Sequence, residues 1–182
     1  MGPDYFSVLP PIRCFLTAQG VKTCVENGVN VKVLTKRADF IENFFGLLAS
    51  YGNFDEEQYR EHTAFGFTLT GHDELERGAS SNIERIGAME ELHNRGNRIL
   101  DFLSSMQMIK GSLPSCDLYK IGLMSGNGVT YDSVEAQTFL SELQQLPGQL
   151  KIYLKNSLVR FLGVDRKTLP ENFVESNYNM FG

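Results

Sequence analysis

The adjacent residues His72 and Asp73 are the sharpest candidate for chemistry in this sequence. Imidazole nitrogen and carboxylate oxygen both bind metal ions, and His62 and Asp101 are the residues that could complete such a site. The segment between His62 and His72 is typical of a strand, however, and Gly71 places the pair in a turn. Acidic residues after a turn also suit the start of a helix. We therefore predict no metal site, and keep a small metal-dependent phosphohydrolase centred on His72 and Asp73 as an alternative.

The other groups that could do chemistry lack the partners that this chemistry needs. Neighbouring acids, as at Glu90 and Glu91, are more often the solvated face of a helix than an acid–base pair. Cys116 has no identifiable histidine partner, and Ser125 does not have the spacing of a nucleophile elbow. Residues 126–128 lack the lysine of a phosphate-binding loop and predict a hairpin tip. We predict no catalytic residue and no cofactor.

Two groups of basic residues are weaker candidates for anion binding. His93, Arg95 and Arg98 could bind a phosphate if their helix breaks at Gly96. A second set could touch nucleic acid or a partner helix, which gives a regulatory binding module as a further alternative. Its members are Lys151, Lys155, Arg160, Arg166 and Lys167. Their helix also carries leucines that a compact domain would bury, so we expect a core helix with a solvated basic flank.

Composition and charge limit the classes of protein to which this chain can belong. The 182 residues are 42% hydrophobic and 21% charged, which is the balance of a folded globular protein. The formal charge of −5 makes a nucleic-acid partner unlikely. No apolar run approaches the roughly 20 residues of a membrane span, and the N-terminus lacks the pattern of a signal peptide. We expect a soluble protein of the cytoplasm or of a virion. Cys14, Cys24 and Cys116 form no pair with metal-site spacing and predict reduced thiols.

The predicted fold class is α+β, with a small antiparallel N-terminal β-meander covered by helices. Residues 12–34 alternate apolar and polar types around two turns, Gln19-Gly20 and Glu26-Asn27-Gly28. This register places nine apolar residues on one face. They are Ile12, Cys14, Leu16, Ala18, Val21, Val25, Val29, Val31 and Val33. A helix across Val21 to Val29 remains an alternative, because short apolar runs fit both periods.

The middle of the chain predicts helices around one strand. Helical spacing indicates a helix over 38–51 and a short one over 55–62, and residues 64–70 are typical of a strand. Ser81 and Glu84 form a capping-box pattern that opens a long helix reaching Lys110, weakened by Gly87 and Gly96.

The C-terminal half is predicted to be mainly helical, after a possible hairpin over 117–131. Asp132 can cap a helix that runs through Leu146 until Pro147-Gly148 interrupts it, and a second helix follows over 149–162. We predict that the two helices pack as an antiparallel pair.

The two ends lack periodicity but are rich in aromatic residues. We predict an N-terminal arm (1–11), a single α+β domain (12–164) and a C-terminal arm (165–182). The expected partner-binding residues are Tyr5, Phe6, Phe173, Tyr178 and Phe181. Aromatic anchors of this kind favour a non-enzymatic structural subunit of a larger assembly, most concretely a virion or phage protein. Its partners would be copies of itself or other subunits.

Overall fold

The computed structural model describes residues 9–96, 98–103, 114–123, 130–176 and 178–182. Within these ranges the helices are Leu9–Glu26 (α1), Phe40–Ser50 (α2), Glu56–His62 (α3), Asn82–Asn94 (α4), Ser133–Gln144 (α5) and Asn156–Leu162 (α6). The strands are Val31–Thr35 (β1), Thr63–Leu69 (β2), Arg98–Leu103 (β3), Leu118–Ile121 (β4) and Lys151–Leu154 (β5). No helix in the described part of the chain is both long enough and apolar enough to span a membrane.

The strands form one five-stranded sheet in the order β1-β2-β3-β4-β5, and every neighbouring pair is parallel. The chain therefore combines helices and strands as predicted, but the predicted antiparallel meander is wrong. A parallel neighbour requires a long crossover, so helices alternate with strands along the chain. The expected hairpin over 117–131 is wrong as well, since β4 pairs with β3 and β5; residues 124–129 lie outside the described ranges.

All the helices contribute to one core on the same face of the sheet. Each crossover connection leads to the next strand in the same direction across the sheet. When all of these connections have the same handedness, their helices lie on the same face of the sheet. Strand residues that face this core include Val33, Phe65, Phe67, Ile99, Tyr119, Ile121, Ile152 and Leu154. We call the opposite side of the sheet the second face.

Helix α1 replaces the first predicted hairpin. Its buried residues Cys14, Ala18, Val21 and Val25 follow at intervals of four, three and four, which is helical spacing. The helix stops near Gly28, whose φ of +70° suits glycine and whose N–H donates to the Val25 carbonyl at 2.9 Å. The alternative of helix at Val21 is correct as far as Glu26.

Helix α4 opens with the predicted capping box, because the Ser81 side chain accepts from the Glu84 N–H and Glu84 reaches back to the Ser81 N–H. The extension to Lys110 is wrong. Gly96 takes a φ of +76° directly after the helix, and β3 begins at Arg98. A left-handed glycine is a common helix stop.

Helix α5 begins as predicted, with the Asp132 carboxylate accepting from the Val134 and Glu135 N–H groups. The predicted second helix is wrong over its first half, because Lys151–Leu154 forms β5 and α6 starts only at Asn156. The shortened α6 still packs on α5, because the Gln137 side chain of α5 donates to the Leu162 carbonyl at the end of α6 at 3.0 Å. The leucines of the predicted second helix do enter the core, but two different elements carry them: Leu154 lies on β5 and Leu158 on α6.

Candidate functional site

His72 and Asp73 lie in the turn that follows β2, at the carboxyl edge of the sheet. Asp73 Oδ1 accepts a hydrogen bond from the Asn82 N–H at 2.8 Å and a second one from the Asn82 side-chain amide. His72 Nδ1 lies 3.0 Å from Glu74 Oε1. Asn82 Oδ1 in turn accepts from the Thr70 N–H at 3.0 Å. These contacts tie the turn to the first residue of α4.

The structure does not bring the proposed metal partners to this pair. His62 ends α3 immediately before β2, whereas His72 follows β2, so the seven-residue strand separates the two by about 20 Å. His62 Nδ1 instead contacts Asn30 Oδ1 at 2.7 Å. Asp101 lies in β3, level with Phe67, and its side chain is outside the described part. Among described residues, no group of three or more His, Cys, Asp or Glu could hold a metal ion.

A buried ion pair joins the same loop to α4. The Arg85 side chain is fully buried, and its Nη2 lies 2.5 Å from Glu76 Oε2. Lys36 Nζ, after β1, lies 2.7 Å from Glu76 Oε1, and Thr70 Oγ1 donates to Glu76 Oε2 at 2.8 Å. Arg85 also donates to the Ser80 carbonyl at 2.9 Å. The network fixes the carboxyl ends of β1 and β2 relative to α4.

Burial by itself would raise the pKa of Glu76. The hydrogen bonds from Arg85, Lys36 and Thr70 outweigh it and hold that pKa below the usual value. Sequence reasoning missed this cluster. The available signal was the spacing of Arg85, Met89 and Leu92, which puts a charge on the buried stripe of α4.

Acidic residues of the helices, including Glu90 and Glu91, have local structural contacts. Glu56 lies 3.4 Å from Arg60 within α3, and Glu91 lies 3.8 Å from Arg95, the residue that follows α4. Glu90 accepts from the Ser115 N–H at 2.9 Å. Such contacts are typical of helix surfaces and loop anchors.

The three cysteines, and Arg95 from the set His93, Arg95 and Arg98, also lie in structural environments. Cys14 and Cys116 are buried and Cys24 is partly exposed, all three as free thiols. Burial and the nearby Asp39 raise the pKa of Cys14, which keeps the thiol neutral. The Arg95 guanidinium lies 5.1 Å from the Phe45 ring centroid. Ser125 and residues 126–128 lie outside the described ranges, as does the side chain of Arg98.

The predicted partner-binding residues of the C-terminal arm lie against their own chain. Phe173 packs on the main core, while Tyr178 and Phe181 pack on a small cluster on the second face. Tyr5 and Phe6 lie outside the described residues. The use of any of the five as contacts to a partner stays a prediction.

Residues 172–182 of the C-terminal arm dock by main-chain and apolar contacts. The Ile152 N–H donates to the Asn172 carbonyl at 2.9 Å, and the Val174 N–H donates to the Ile152 carbonyl at 2.8 Å. The arm thus adds a short parallel bridge to the free edge of β5. Met180 then covers Ala64 and Leu118, in a cluster separate from the main core. We call this cluster the arm socket.

Basic side chains from separate elements meet near the arm on the second face. Lys120 of β4 is level with Tyr153 of β5, and its Nζ lies 5.9 Å from the centroid of that ring. The Arg166 guanidinium lies 5.2 Å from the same centroid. Lys155 follows Tyr153 on this side, and Lys32 of β1 approaches Phe181 with Nζ at 5.8 Å from the ring centroid. We call Lys32, Lys120, Lys155 and Arg166 the basic cluster.

Lys155 and Arg166 belong to the basic set predicted from the sequence, whereas Lys32, Lys120 and Tyr153 do not. Assigning 149–162 to a helix hid the alternation of residues 151, 153 and 155, which a strand places on one face. Arg160 on α6 and Lys167 in the turn that follows are exposed, and Lys151 lies on β5. The predicted basic set is therefore divided among separate elements and does not lie on one helix.

Comparisons of this chain with protein-family models, curated proteins and solved structures gave no match.

Proposed function

We propose that this protein is a non-enzymatic structural subunit whose C-terminal arm exchanges between copies of the chain. The observation that carries the proposal is the docking of residues 172–182. The arm is held by two main-chain hydrogen bonds at the edge of β5, by the Asn172 side chain, which donates to the Leu150 carbonyl at 3.1 Å, and by Phe173 on the main core. Beyond Phe173 its apolar contacts are confined to the small arm socket. A terminal segment held in this way can leave its socket at lower cost than a core element.

Exchange between copies follows from the chemistry of the socket. The edge of β5, Ala64 and Leu118 are present on every copy, so an arm can make identical contacts with its own sheet or with a neighbour's. Such swapping is a low-cost route to oligomers. Main-chain addition to a sheet edge, with alternate side chains in pockets, is also a recurrent mode of protein recognition. A virion or phage particle is the most concrete assembly of this kind.

Light scattering after size-exclusion chromatography tests the proposal over a range of protein concentrations. We expect the mass of the full chain to rise with concentration above that of a monomer. Met180→Asp puts a charge where the side chain is 7% exposed and should keep the protein monomeric. Ser176→Asp, at an exposed arm position, adds the same charge and should behave like the wild type.

Two outcomes would overturn this proposal. One is a full chain that stays monomeric at every concentration. The other is association that persists unchanged in Met180→Asp, since the contacts would then lie elsewhere. A chain lacking residues 1–10, measured in the same way, separates any contribution of Tyr5 and Phe6.

A further inference from the structure

The basic cluster is built by the parallel register of the sheet. Lys120 and Tyr153 are partners across β4 and β5, and the Lys155 N–H donates to the Ile121 carbonyl at 2.7 Å at the next step. Side chains alternate along a strand, so Tyr153 and Lys155 project to the same side. Two lysines from neighbouring strands are therefore held side by side at the carboxyl end of the sheet.

Gly122 makes room for the stem of Lys155. A Cβ at position 122 would lie 2.5 Å from Lys155 Cδ, closer than real contacts allow, and 3.2 Å from its Cβ, which is tighter than most contacts. The Lys155 side chain therefore crosses directly over the backbone that follows β4. A lysine stem packed in this way loses freedom that a solvated surface lysine keeps.

Arg166 is fixed next to Tyr153. Its Nη2 donates to the Leu154 carbonyl, and to Asn156 Oδ1 at 2.9 Å, and the guanidinium lies 5.2 Å from the Tyr153 ring centroid. These contacts hold a permanent positive charge at the ring that Lys120 also approaches. The third lysine, Lys32, lies on β1 and approaches Phe181.

The positions of these lysines disfavour their charged forms. The pKa of Lys120 lies below its usual value because burial disfavours the ammonium form and because Lys32 and Lys155 repel it. Burial also lowers the pKa of Lys155. The four basic residues of the cluster belong to a chain whose formal charge is −5. A multiply charged anion would relieve the repulsion and gain from the reduced dielectric.

We propose that the basic cluster binds the phosphate groups of a small, multiply charged anion, such as a polyphosphate or the phosphate tail of a nucleotide. Ammonium and guanidinium groups are the side chains that proteins use for phosphate. The half-buried positions of Lys120 and Lys155 favour a compact anion over a nucleic-acid backbone, which needs an exposed basic stripe. The proposal does not rest on arm exchange, although Lys32 contacts Phe181 of the arm.

Isothermal titration with sodium tripolyphosphate at low ionic strength tests this site on the full chain. We expect saturable binding of one tripolyphosphate per chain. Lys120→Gln and Lys155→Gln should each lower the affinity by about tenfold, the change expected for one lost charge-assisted contact. Gly122→Ala should also weaken binding, because it displaces the Lys155 stem without changing any charge.

Lys22→Gln is the charge-matched control, because Lys22 lies on α1, on the helix side of the sheet, and pairs with Glu26 there. It should bind like the wild type. Absence of saturable binding, or an equal loss in Lys22→Gln and Lys120→Gln, would overturn the proposal.

Two further titrations identify the source of the phosphate. Equal affinity for tripolyphosphate and adenosine triphosphate supports recognition of the phosphates alone, and tighter binding of the nucleotide supports a nucleotide tail. Tighter binding of a single-stranded oligonucleotide, lost on Arg160→Gln or Lys167→Gln, would overturn the compact site in favour of a nucleic-acid surface.

Discussion

At the scale of residues, the pair of Arg85 and Glu76 ties the loop after β2 to α4. Arg85 is fully buried and the Glu76 side chain is 4% exposed. A buried charge without its partner is strongly destabilising, whereas an intact buried pair contributes little net stability. The importance of this pair therefore shows when one member is removed.

We predict that Arg85→Met lowers the free energy of unfolding by about 3–5 kcal/mol, because it leaves Glu76 buried without its main partner. Arg77→Met, at an exposed position of the same loop, should change it by less than about 0.5 kcal/mol. Urea denaturation measures both variants. Similar small effects in the two variants would mean that Glu76 is solvated.

The pH dependence of stability tests the same network through Glu76. Its folded-state pKa is lowered, so its stabilisation is complete above the unfolded-state pKa of about 4.3. That stabilisation is lost as the pH falls through the folded-state pKa. The difference in unfolding free energy between the wild type and Glu76→Gln should therefore shrink as the pH falls below about 4.3. A difference that stays constant there, while both proteins remain folded, would contradict the network.

At the scale of elements, α1 is the sharpest departure from the sequence pattern. The segment carries apolar residues that fit both an alternating and a helical period, and Gln19-Gly20 resembles a turn. The helix puts Ala18 in the core at 0% exposure but leaves Leu16 62% exposed. The hairpin register would have buried both.

Charged substitutions distinguish the two arrangements. We predict that Ala18→Glu destabilises the protein by about 3 kcal/mol or more, because it forces a carboxylate into the core. Leu16→Glu should cost less than about 0.5 kcal/mol. Thermal or urea denaturation gives both values, and a comparable loss in the two variants would favour the hairpin.

Two glycines test where α4 ends. A Cβ at Gly87, inside the helix, would meet nothing within 4 Å, so Gly87→Ala should stabilise the protein by about 0.5–1 kcal/mol. Gly96 has a φ of +76°, so Gly96→Ala should destabilise it by about 1 kcal/mol. Stabilisation by both substitutions would mean that the helix continues past Gly96, as the sequence pattern suggested.

The sequence predicted elements best where local signals act alone. The caps at Ser81 and Asp132 start α4 and α5 as expected, and the broad apolar stripe of α2 was recognised. The short strand β5 was harder, because four residues carry too little periodicity to outweigh neighbouring helical spacing. Strand β1 overlaps the third strand of the predicted meander, but it pairs in parallel with β2. At α1, the turn-like dipeptide Gln19-Gly20 favoured a hairpin, although the spacing of the apolar residues also fits the observed helix.

At the scale of the whole molecule, the parallel topology could not be predicted from the hydrophobic pattern of the sequence. Which strand pairs with which is a non-local property, and β2 pairs with β3 only after the whole of α4 intervenes. The basic cluster depends on that topology, since Lys32, Lys120 and Lys155 are far apart in the chain. The aromatic content of the C-terminal arm predicted contacts to a partner, whereas Phe173, Tyr178 and Phe181 pack on their own chain. The surface that receives the arm could not be predicted without the sheet.

The central claim is that the arm occupies the same socket within one chain and between chains. Cysteine cross-linking tests it directly, because Ala64 and Met180 meet in the socket. Oxidation of Ala64→Cys/Met180→Cys, in a background carrying Cys24→Ser, is followed by denaturing non-reducing electrophoresis, with each single variant as control. We predict an internally cross-linked monomer at low concentration and a growing share of cross-linked dimer as concentration rises. Cross-linked monomer alone at every concentration would contradict arm exchange, and no cross-link at all would contradict the docking of the arm.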